Sequence, residues 1–251
     1  MKCLVVTAAG ISSRFNEGYS KKHLKCIYYE ERPEHTLIYH VLDQNREYDR
    51  IVIVGGYEYS AFQCYVQNYF ADLTDKIVFL ENPHYRDYGT AYSLKLGLET
   101  CLQQEHVEEI FFTEGDLYVG EEDYRRLKGV HQDCFTFNYE PIVSKKAVVV
   151  YRTEAGWHYA FDPDHYGITM PGNILEIYNS AQMWKFCDIK RLKSILGEIS
   201  EEEWKGTNLS LIQKYFRKKD VLSVGINQWV NCNTREDYQT CEWGKNTCGI
   251  L

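Results

Sequence analysis

Short, continuous apolar runs alternate with helical segments through the first half of the chain, and this alternation limits the possible folds more than any other feature. Lys2-Cys-Leu-Val-Val-Thr7, Arg50-Ile-Val-Ile-Val-Gly55, Lys76-Ile-Val-Phe-Leu80 and Glu109-Ile-Phe-Phe-Thr113 show no inside–outside alternation. Strands covered on both faces have this pattern. Between them, Thr36–Asn45 carries Leu37, Val41 and Leu42 on one helical face. Tyr59–Phe70 also reads as a helix, and Thr90–Leu102 has apolar residues at 91, 94, 98 and 102. The resulting βαβαβαβ order predicts a parallel sheet with right-handed crossovers.

The second half is less regular. Lys146–Arg152 and Ile174–Tyr178 read as strands, Trp157–Phe161 alternates weakly, and Asp188–Leu196 and Leu209–Lys218 read as helices. A late strand, Val221–Ile226, precedes Trp229–Asn233. With only 5 Pro and no Pro-, Gly- or Ser-rich linker, one domain over 1–251 is the simplest organisation. The predicted class is α/β: a Rossmann-like three-layer sandwich with a mostly parallel mixed sheet and an interleaved subdomain.

A formal net charge of -8 argues against a general nucleic-acid binder, because phosphate backbones are held by clustered Lys and Arg. No apolar run approaches the roughly 20 residues of a membrane span. The N-terminus enters a strand pattern directly, without a basic and apolar leader. The 9 cysteines show no CxxC or Cys/His finger spacing. Free buried thiols in a reducing cytoplasm are therefore expected.

Positive charge does gather in one place. Ala8-Ala-Gly-Ile-Ser-Ser-Arg-Phe15 follows the first strand, and Lys21, Lys22 and Lys25 come next. Ligands of parallel sheets bind beyond the strand carboxyl ends. There Gly10 and its neighbours Ile11, Ser12 and Ser13 can present N–H and hydroxyl donors to phosphate, and Arg14 can grip it in a fork. Glu114-Gly-Asp116 ends the fourth strand and faces the same crevice. A carboxylate there suits Mg²⁺, which commonly bridges protein to substrate phosphates. Each feature alone also fits an ordinary turn.

Taken together, TAAGISSRF…KKHLKCIY resembles the signature of nucleotidyltransferases that activate sugar phosphates and choline phosphate, roughly AAG-x-G-[ST]-R followed by PK-x-L. The resemblance puts Ser12 where a Gly is usual and Lys22 at the catalytic lysine, with Lys25 as the alternative threading. It implies nucleotide contacts from Ala8, Ala9, Gly10, Ile11, Ser12, Ser13, Arg14 and Lys22. Asn82-Pro-His-Tyr-Arg-Asp-Tyr-Gly-Thr-Ala-Tyr-Ser-Leu94 is similar to the base and ribose segment, which carries Gly89, Thr90 and Ser93 to the base; Thr90 is also a candidate helix N-cap. Its Gly-Thr-Ala resembles uridylyltransferases and the remainder cholinephosphate cytidylyltransferases, so CTP and UTP both stay open, with CTP preferred.

The resemblance implies Mg²⁺ on Asp116, with Glu114 outside the first coordination shell. Its second metal-ligand segment resembles Val230-Asn-Cys-Asn-Thr-Arg-Glu-Asp-Tyr238, giving Asn233 as ligand and Asn231 in place of an acid. Glu236 and Asp237 are expected to cap the next helix. Residues 1–135 would mainly bind the nucleotide, 136–220 the acceptor, and 221–251 would return one strand to the sheet.

The reaction implied is in-line attack of an acceptor phosphate or phosphonate on the nucleotide α-phosphorus, with release of pyrophosphate. It needs positioning and charge neutralisation rather than a general base, which suits a chain without a convincing Ser/His/Asp or Cys/His arrangement. The second half is rich in aromatics and acids, including Tyr139, Glu140, Trp157, Tyr159, Phe161, Asp162, Asp164, Tyr178, Trp184 and Trp229. Such a pocket suits an ammonium headgroup. Phosphocholine or 2-aminoethylphosphonate is therefore the expected acceptor, with Trp157, Tyr159, Trp184 and Asn231 as acceptor contacts, in a monomer or homodimer. A sugar-1-phosphate nucleotidyltransferase, a non-catalytic nucleotide-binding domain and a glycosyltransferase with a partial DxD are the alternatives.

Overall fold

The computed structural model describes residues 1–143, 147–162, 167–217 and 221–243. The strands β1 (Lys2–Ala8), β2 (Arg50–Gly55), β3 (Ile77–Glu81) and β4 (Glu109–Glu114) lie where the apolar runs predicted them. They are joined by α1 (Leu37–Asp43), α2 (Tyr59–Tyr69) and α3 (Thr90–Leu102). Thr36 caps α1 by accepting from the Tyr39 N–H. β1 pairs in parallel with β2 and β4, and β2 with β3.

Successive residues of these strands supply two cores. Leu4, Val6, Ile51, Ile53 and Phe111 pack under α1 and α2. Cys3, Val5, Val52, Val54, Ile110 and Phe112 pack under α3 on the other face. A sheet buried on both sides between helices is the three-layer α/β sandwich that the continuous apolar runs require.

Beyond β4 come β5 (Leu117–Val119), α4 (Glu121–Lys128) and β6 (Cys134–Asn138). The remaining elements are β7 (Val149–Thr153), β8 (Gly156–Ala160), β9 (Glu176–Phe186), α5 (Ile189–Glu198), α6 (Glu201–Lys205), α7 (Leu209–Phe216), β10 (Leu222–Ile226), β11 (Trp229–Asn231) and α8 (Arg235–Gln239). The main sheet runs β10-β6-β9-β4-β1-β2-β3, with β7 attached to β9 and β8 to β7. β9 is antiparallel to β4, β6 and β7, whereas β10 is parallel to β6.

Residues 221–251 do contribute one strand, β10, to the main sheet, and residues 134–186 contribute four more, β6 to β9. β9 is also far longer than Ile174–Tyr178. Asn179, Ser180 and Gln182 break its apolar pattern where the register shifts between Phe135 and Phe137. β11 pairs with β5, Asn231 opposite Leu117, which brings the C-terminal segment against the turn after β4.

Thiol chemistry follows the expectation only in part. Cys3, Cys26, Cys101, Cys134, Cys232 and Cys241 are free and buried, but Cys64 is exposed; Cys248 lies outside the described residues. No helix among the described residues is long and apolar enough to cross a membrane.

Candidate active site

The carboxyl ends of β1 and β4 open on one crevice. Ala8, Ala9 and Gly10 form its floor, and Glu114 and Asp116 one side. Gly115 lets the two strand ends approach: its N–H donates to the Thr7 carbonyl at 2.8 Å, and a Cβ there would lie 3.1 Å from the same oxygen.

Past Gly10 the chain turns through Ser12, which holds the left-handed conformation with φ +57°. This is the position where the resemblance expects Gly, and a side chain there is strained. Local bonds hold it. Ser12 Oγ accepts from the Lys25 N–H at 3.1 Å, and the Ser12 carbonyl accepts from Asn16 Nδ2 at 2.8 Å. Asn16, buried at 3% exposure, also bonds both the N–H and the carbonyl of His23. It ties the loop to the basic segment, a role that no sequence pattern signalled.

That folding decides between the lysines. Lys22 Nζ donates to the Asn16 carbonyl at 2.8 Å and lies on the outer side of the loop, in a recess with Ile11, Ser13 and Arg86. Lys25 instead forms an ion pair with Asp116 Oδ2 and lies 3.5 Å from Asn233 Oδ1. Lys25, the alternative threading, is therefore the lysine that reaches Asp116 and Asn233, and Lys22 is not, because the single 3-10 turn at Lys25–Ile27 carries the Lys25 side chain inward. Burial disfavours the Lys25 ammonium, but the Asp116 carboxylate outweighs this and raises its pKa.

Asn233 arrives from the far end of the chain. Its Oδ1 accepts from Arg14 at 2.8 Å, and its Nδ2 donates to Asn231 Oδ1 at 2.9 Å. Thr234 and Asp237 form a capping box on α8, and Asp237 also accepts from the Asn233 N–H at 3.0 Å. The capping expected of this acidic pair is made by Asp237. Arg14, Lys25, Asp116 and Asn233 therefore converge, with Asn231 behind Asn233.

Among the described residues, no group of three or more His, Cys, Asp or Glu forms a self-sufficient metal site. Asp116 Oδ1, however, is buried with no hydrogen-bond partner. An orphaned carboxylate oxygen beside an amide oxygen fits a hard cation whose remaining ligands are phosphate and water.

Across the crevice, Asn82 Nδ2 donates to Ser93 Oγ at 2.9 Å, both buried. Gly89 and Thr90 begin α3, but Thr90 is not its N-cap: Gly89 is. The Gly89 and Ala91 N–H groups donate to the carbonyls of Lys205 and Gly206, and a Cβ on Gly89 would collide with Gly206 O. Thr90 Oγ1 accepts from the Asn208 N–H at 3.0 Å, and Asn208 Nδ2 donates to Glu114 Oε1 at 2.8 Å. Burial, then the nearby Asp116 charge, pushes the Glu114 carboxyl up to about 7. Tyr85 and Tyr88 also line this side; two tyrosines within one loop among several others were not a distinguishing signal.

The expected aromatic acceptor box does not form. Trp157 is 4% exposed and Trp184 1%. Trp157 packs edge-on against Phe135, while Trp184 stacks on Phe112 and donates to Tyr159 OH at 2.8 Å. All three aromatics belong to the core beneath α7, where α/β packing absorbs large side chains. Trp229 is likewise committed, donating to the Ala181 carbonyl. Tyr139 is exposed, and Asp164 lies outside the described residues.

Solved structures share this fold across nearly their whole length. An inositol-1-phosphate CTP transferase from T. maritima has a TM-score of 0.65 at 15% identity, covering 95% of this chain and 94% of that one. A CTP:phosphocholine cytidylyltransferase from Streptococcus pneumoniae has a TM-score of 0.61 at 14% identity, covering 95% and 96%. A putative glucose-1-phosphate thymidylyltransferase from Bacillus anthracis has a TM-score of 0.71 at 12% identity, covering 100% and 98%. At such identities the likeness is one of fold. No curated protein sequence matches the chain. By sequence, over residues 21–244, the chain belongs to the family described as a domain of unknown function (DUF6564).

Proposed function

We propose that the chain is a nucleotidyltransferase, moving a nucleotidyl group from an NTP to the phosphate or phosphonate of a small acceptor with release of pyrophosphate. The observation that carries this reading is the meeting of Arg14, Lys25, Asp116 and Asn233 at the ends of β1 and β4, with Asp116 Oδ1 unpaired.

In this reading the loop N–H groups after β1 and the Arg14 guanidinium hold the β- and γ-phosphates. Lys25 leaves Asp116 to neutralise charge between the α-phosphate and the incoming acceptor oxygen. The acceptor oxygen bonds to the α-phosphorus as the bond to the pyrophosphate oxygen breaks, and no proton needs to move. Asp116 Oδ1 and Asn233 Oδ1 are the oxygens that would hold Mg²⁺, which when bound lowers the negative charge on the phosphates. Thr90 and the Asn82–Ser93 pair face the base and ribose. CTP is the preferred donor, supported by the resemblance of residues 82–94 and by two fold relatives named for CTP chemistry.

The amino-alcohol acceptor expected from aromatic content loses its main support, since Trp157 and Trp184 are core residues. A sugar-1-phosphate acceptor is the second reading, since it does not depend on those buried rings.

Pyrophosphate release with CTP, UTP, GTP and ATP, Mg²⁺ and a panel of phosphorylated acceptors tests the proposal. Turnover with at least one pair is expected, and silence across all of them sinks the enzyme reading. Asp116→Ala retaining full activity would remove the metal assignment.

A further inference from the structure

Arg235 is the first residue of α8, a position where the helix dipole favours an acid over a base. It also adds positive charge beside a segment that already carries Lys21, Lys22 and Lys25. Its partners lie outside α8. The guanidinium carbon is 3.7 Å from the centroid of the Tyr19 ring, 5.0 Å from that of Tyr28 and 5.7 Å from that of Phe15. All three rings are within reach of a cation–π contact. Nη2 donates to the Lys21 carbonyl at 3.2 Å, whereas Nε is buried without a hydrogen-bond partner. Phe15 packs edge-on against Tyr28, and Tyr28 against Tyr238 of α8. The chain's own arginine thus fills an aromatic cage.

That cage joins the two segments that meet in the nucleotide wall. Phe15 is the neighbour of Arg14 in the chain. The Tyr28 N–H donates to the Lys25 carbonyl at 3.3 Å and closes the turn that carries Lys25 inward. On the other side, Arg235 directly follows Thr234, and the N–H groups of Asn233 and Thr234 both donate to Asp237 Oδ2. Asn233 and Arg235 are therefore fixed to one helix cap. Each cation of the site has a ring of the cage close to it in the chain. The amide oxygen that both cations approach, Asn233 Oδ1, is anchored together with the guanidinium. A planar guanidinium can stack on a ring while donating from its edge; a lysine ammonium is a point charge and cannot do both.

Resting on the nucleotidyltransferase reading, we propose that Arg235 is a positioning residue for the nucleotide: through Phe15, Tyr19 and Tyr28 it sets the loop of Arg14 and Lys25 in register with Asn233. It acts through those side chains and not on the substrate itself.

Binding of CTP, UTP, GTP and ATP with Mg²⁺ to the full chain is measured by titration calorimetry, so that the result does not depend on turnover. For the nucleotide that the wild type binds most tightly, Arg235→Ala should raise Kd about tenfold, the scale of losing a partly desolvated cation–π cluster. Arg235→Lys should raise it about threefold, because stem and charge remain but the flat stack is lost. Guanidinium chloride at about 20 mM, far below the molar range that unfolds proteins, should refill the cage of Arg235→Ala and restore most of its affinity. Sodium chloride at the same concentration should not. A merely structural role would lower the melting temperature while leaving Kd of the folded protein unchanged and insensitive to guanidinium. Wild-type affinity in folded Arg235→Ala, or a loss that guanidinium does not recover, overturns the proposal. Should Arg235→Ala not fold by circular dichroism, Arg235→Lys decides, and wild-type affinity in that variant overturns it. A wild type that binds an NTP yet turns over with no acceptor sinks the transferase reading alone. One that binds no NTP sinks both.

Discussion

The two walls of the crevice are built in different ways. The nucleotide wall comes from the ends of adjacent parallel strands, β1 and β4, and from a loop whose members lie within a few residues of one another. The opposite wall joins distant pieces: Asn208 reaches Thr90 across 118 positions and Glu114 across 94. Local backbone chemistry organises the loop of the first wall, which Asn233 then joins across 219 positions, whereas the second wall is made by long-range packing throughout. A side chain on the second wall therefore cannot be assigned from its type alone: two tryptophans that suited a ligand box serve the core, while Asn208 joins Thr90 to Glu114.

The tryptophans offer the sharpest way to break this contrast. Trp157→Ala should destabilise the fold by about 3–5 kcal/mol, as expected for a buried aromatic, with the acceptor KM of the folded protein unchanged. Denaturant midpoints and steady-state kinetics check the two parts, and a raised KM at normal stability would return Trp157 to the acceptor site. The lysines test the nucleotide wall. Lys25→Ala should lower kcat by about 10²–10³-fold, the scale for removing one preorganised charge. Lys22→Ala should stay within about threefold, since its ammonium bonds only a loop carbonyl and removing an exposed charge has little effect. The reverse order would restore Lys22.

The junction between the walls is Glu114, whose carboxyl titrates at about 7 against about 4.3 for an unperturbed Glu. Here the folded state binds the proton more tightly than the unfolded state. The corresponding stability is complete below the unfolded pKa and disappears as pH rises through 7. Without added nucleotide or metal, the wild type should lose more melting temperature between about pH 5 and about pH 8 than Glu114→Gln does. Parallel curves would mean that the carboxyl is not strained by its surroundings. The smallest effect is expected at Ser12. Ser12→Ala keeps φ +57° and loses the bond from the Lys25 N–H, and should cost about 1 kcal/mol. Ser12→Gly should lie within about 0.5 kcal/mol of wild type, because relief of backbone strain offsets that bond. Equal losses in both variants would show that the φ value carries no cost.

The nucleotide wall is largely legible in the sequence. The first four strands are continuous apolar runs, and Asp116 follows directly from the end of β4. Helix α4 could have been found from its acidic first turn and basic last turn, a pattern that follows the helix dipole. β6 and the length of β9 could not, since polar Asn179, Ser180 and Gln182 obscure the strand period at the bulge. The choice between Lys22 and Lys25 turned on one loop. Counting residues from the glycine could not reveal that Asn16 and Ser12 would reel the chain in by hydrogen bonds.

The sequence by itself determined the three-layer α/β sandwich, the crevice at the carboxyl ends of β1 and β4, and the gathering of positive charge there. Apolar period and strand-end position depend on neighbours in the chain. Only the tertiary structure decided which lysine meets Asp116, that Asn208 joins Thr90 to Glu114, and that Trp157 and Trp184 lie in the core. Those outcomes depend on burial and on pairing between segments far apart in sequence, where a residue's type permits several fates and packing selects one.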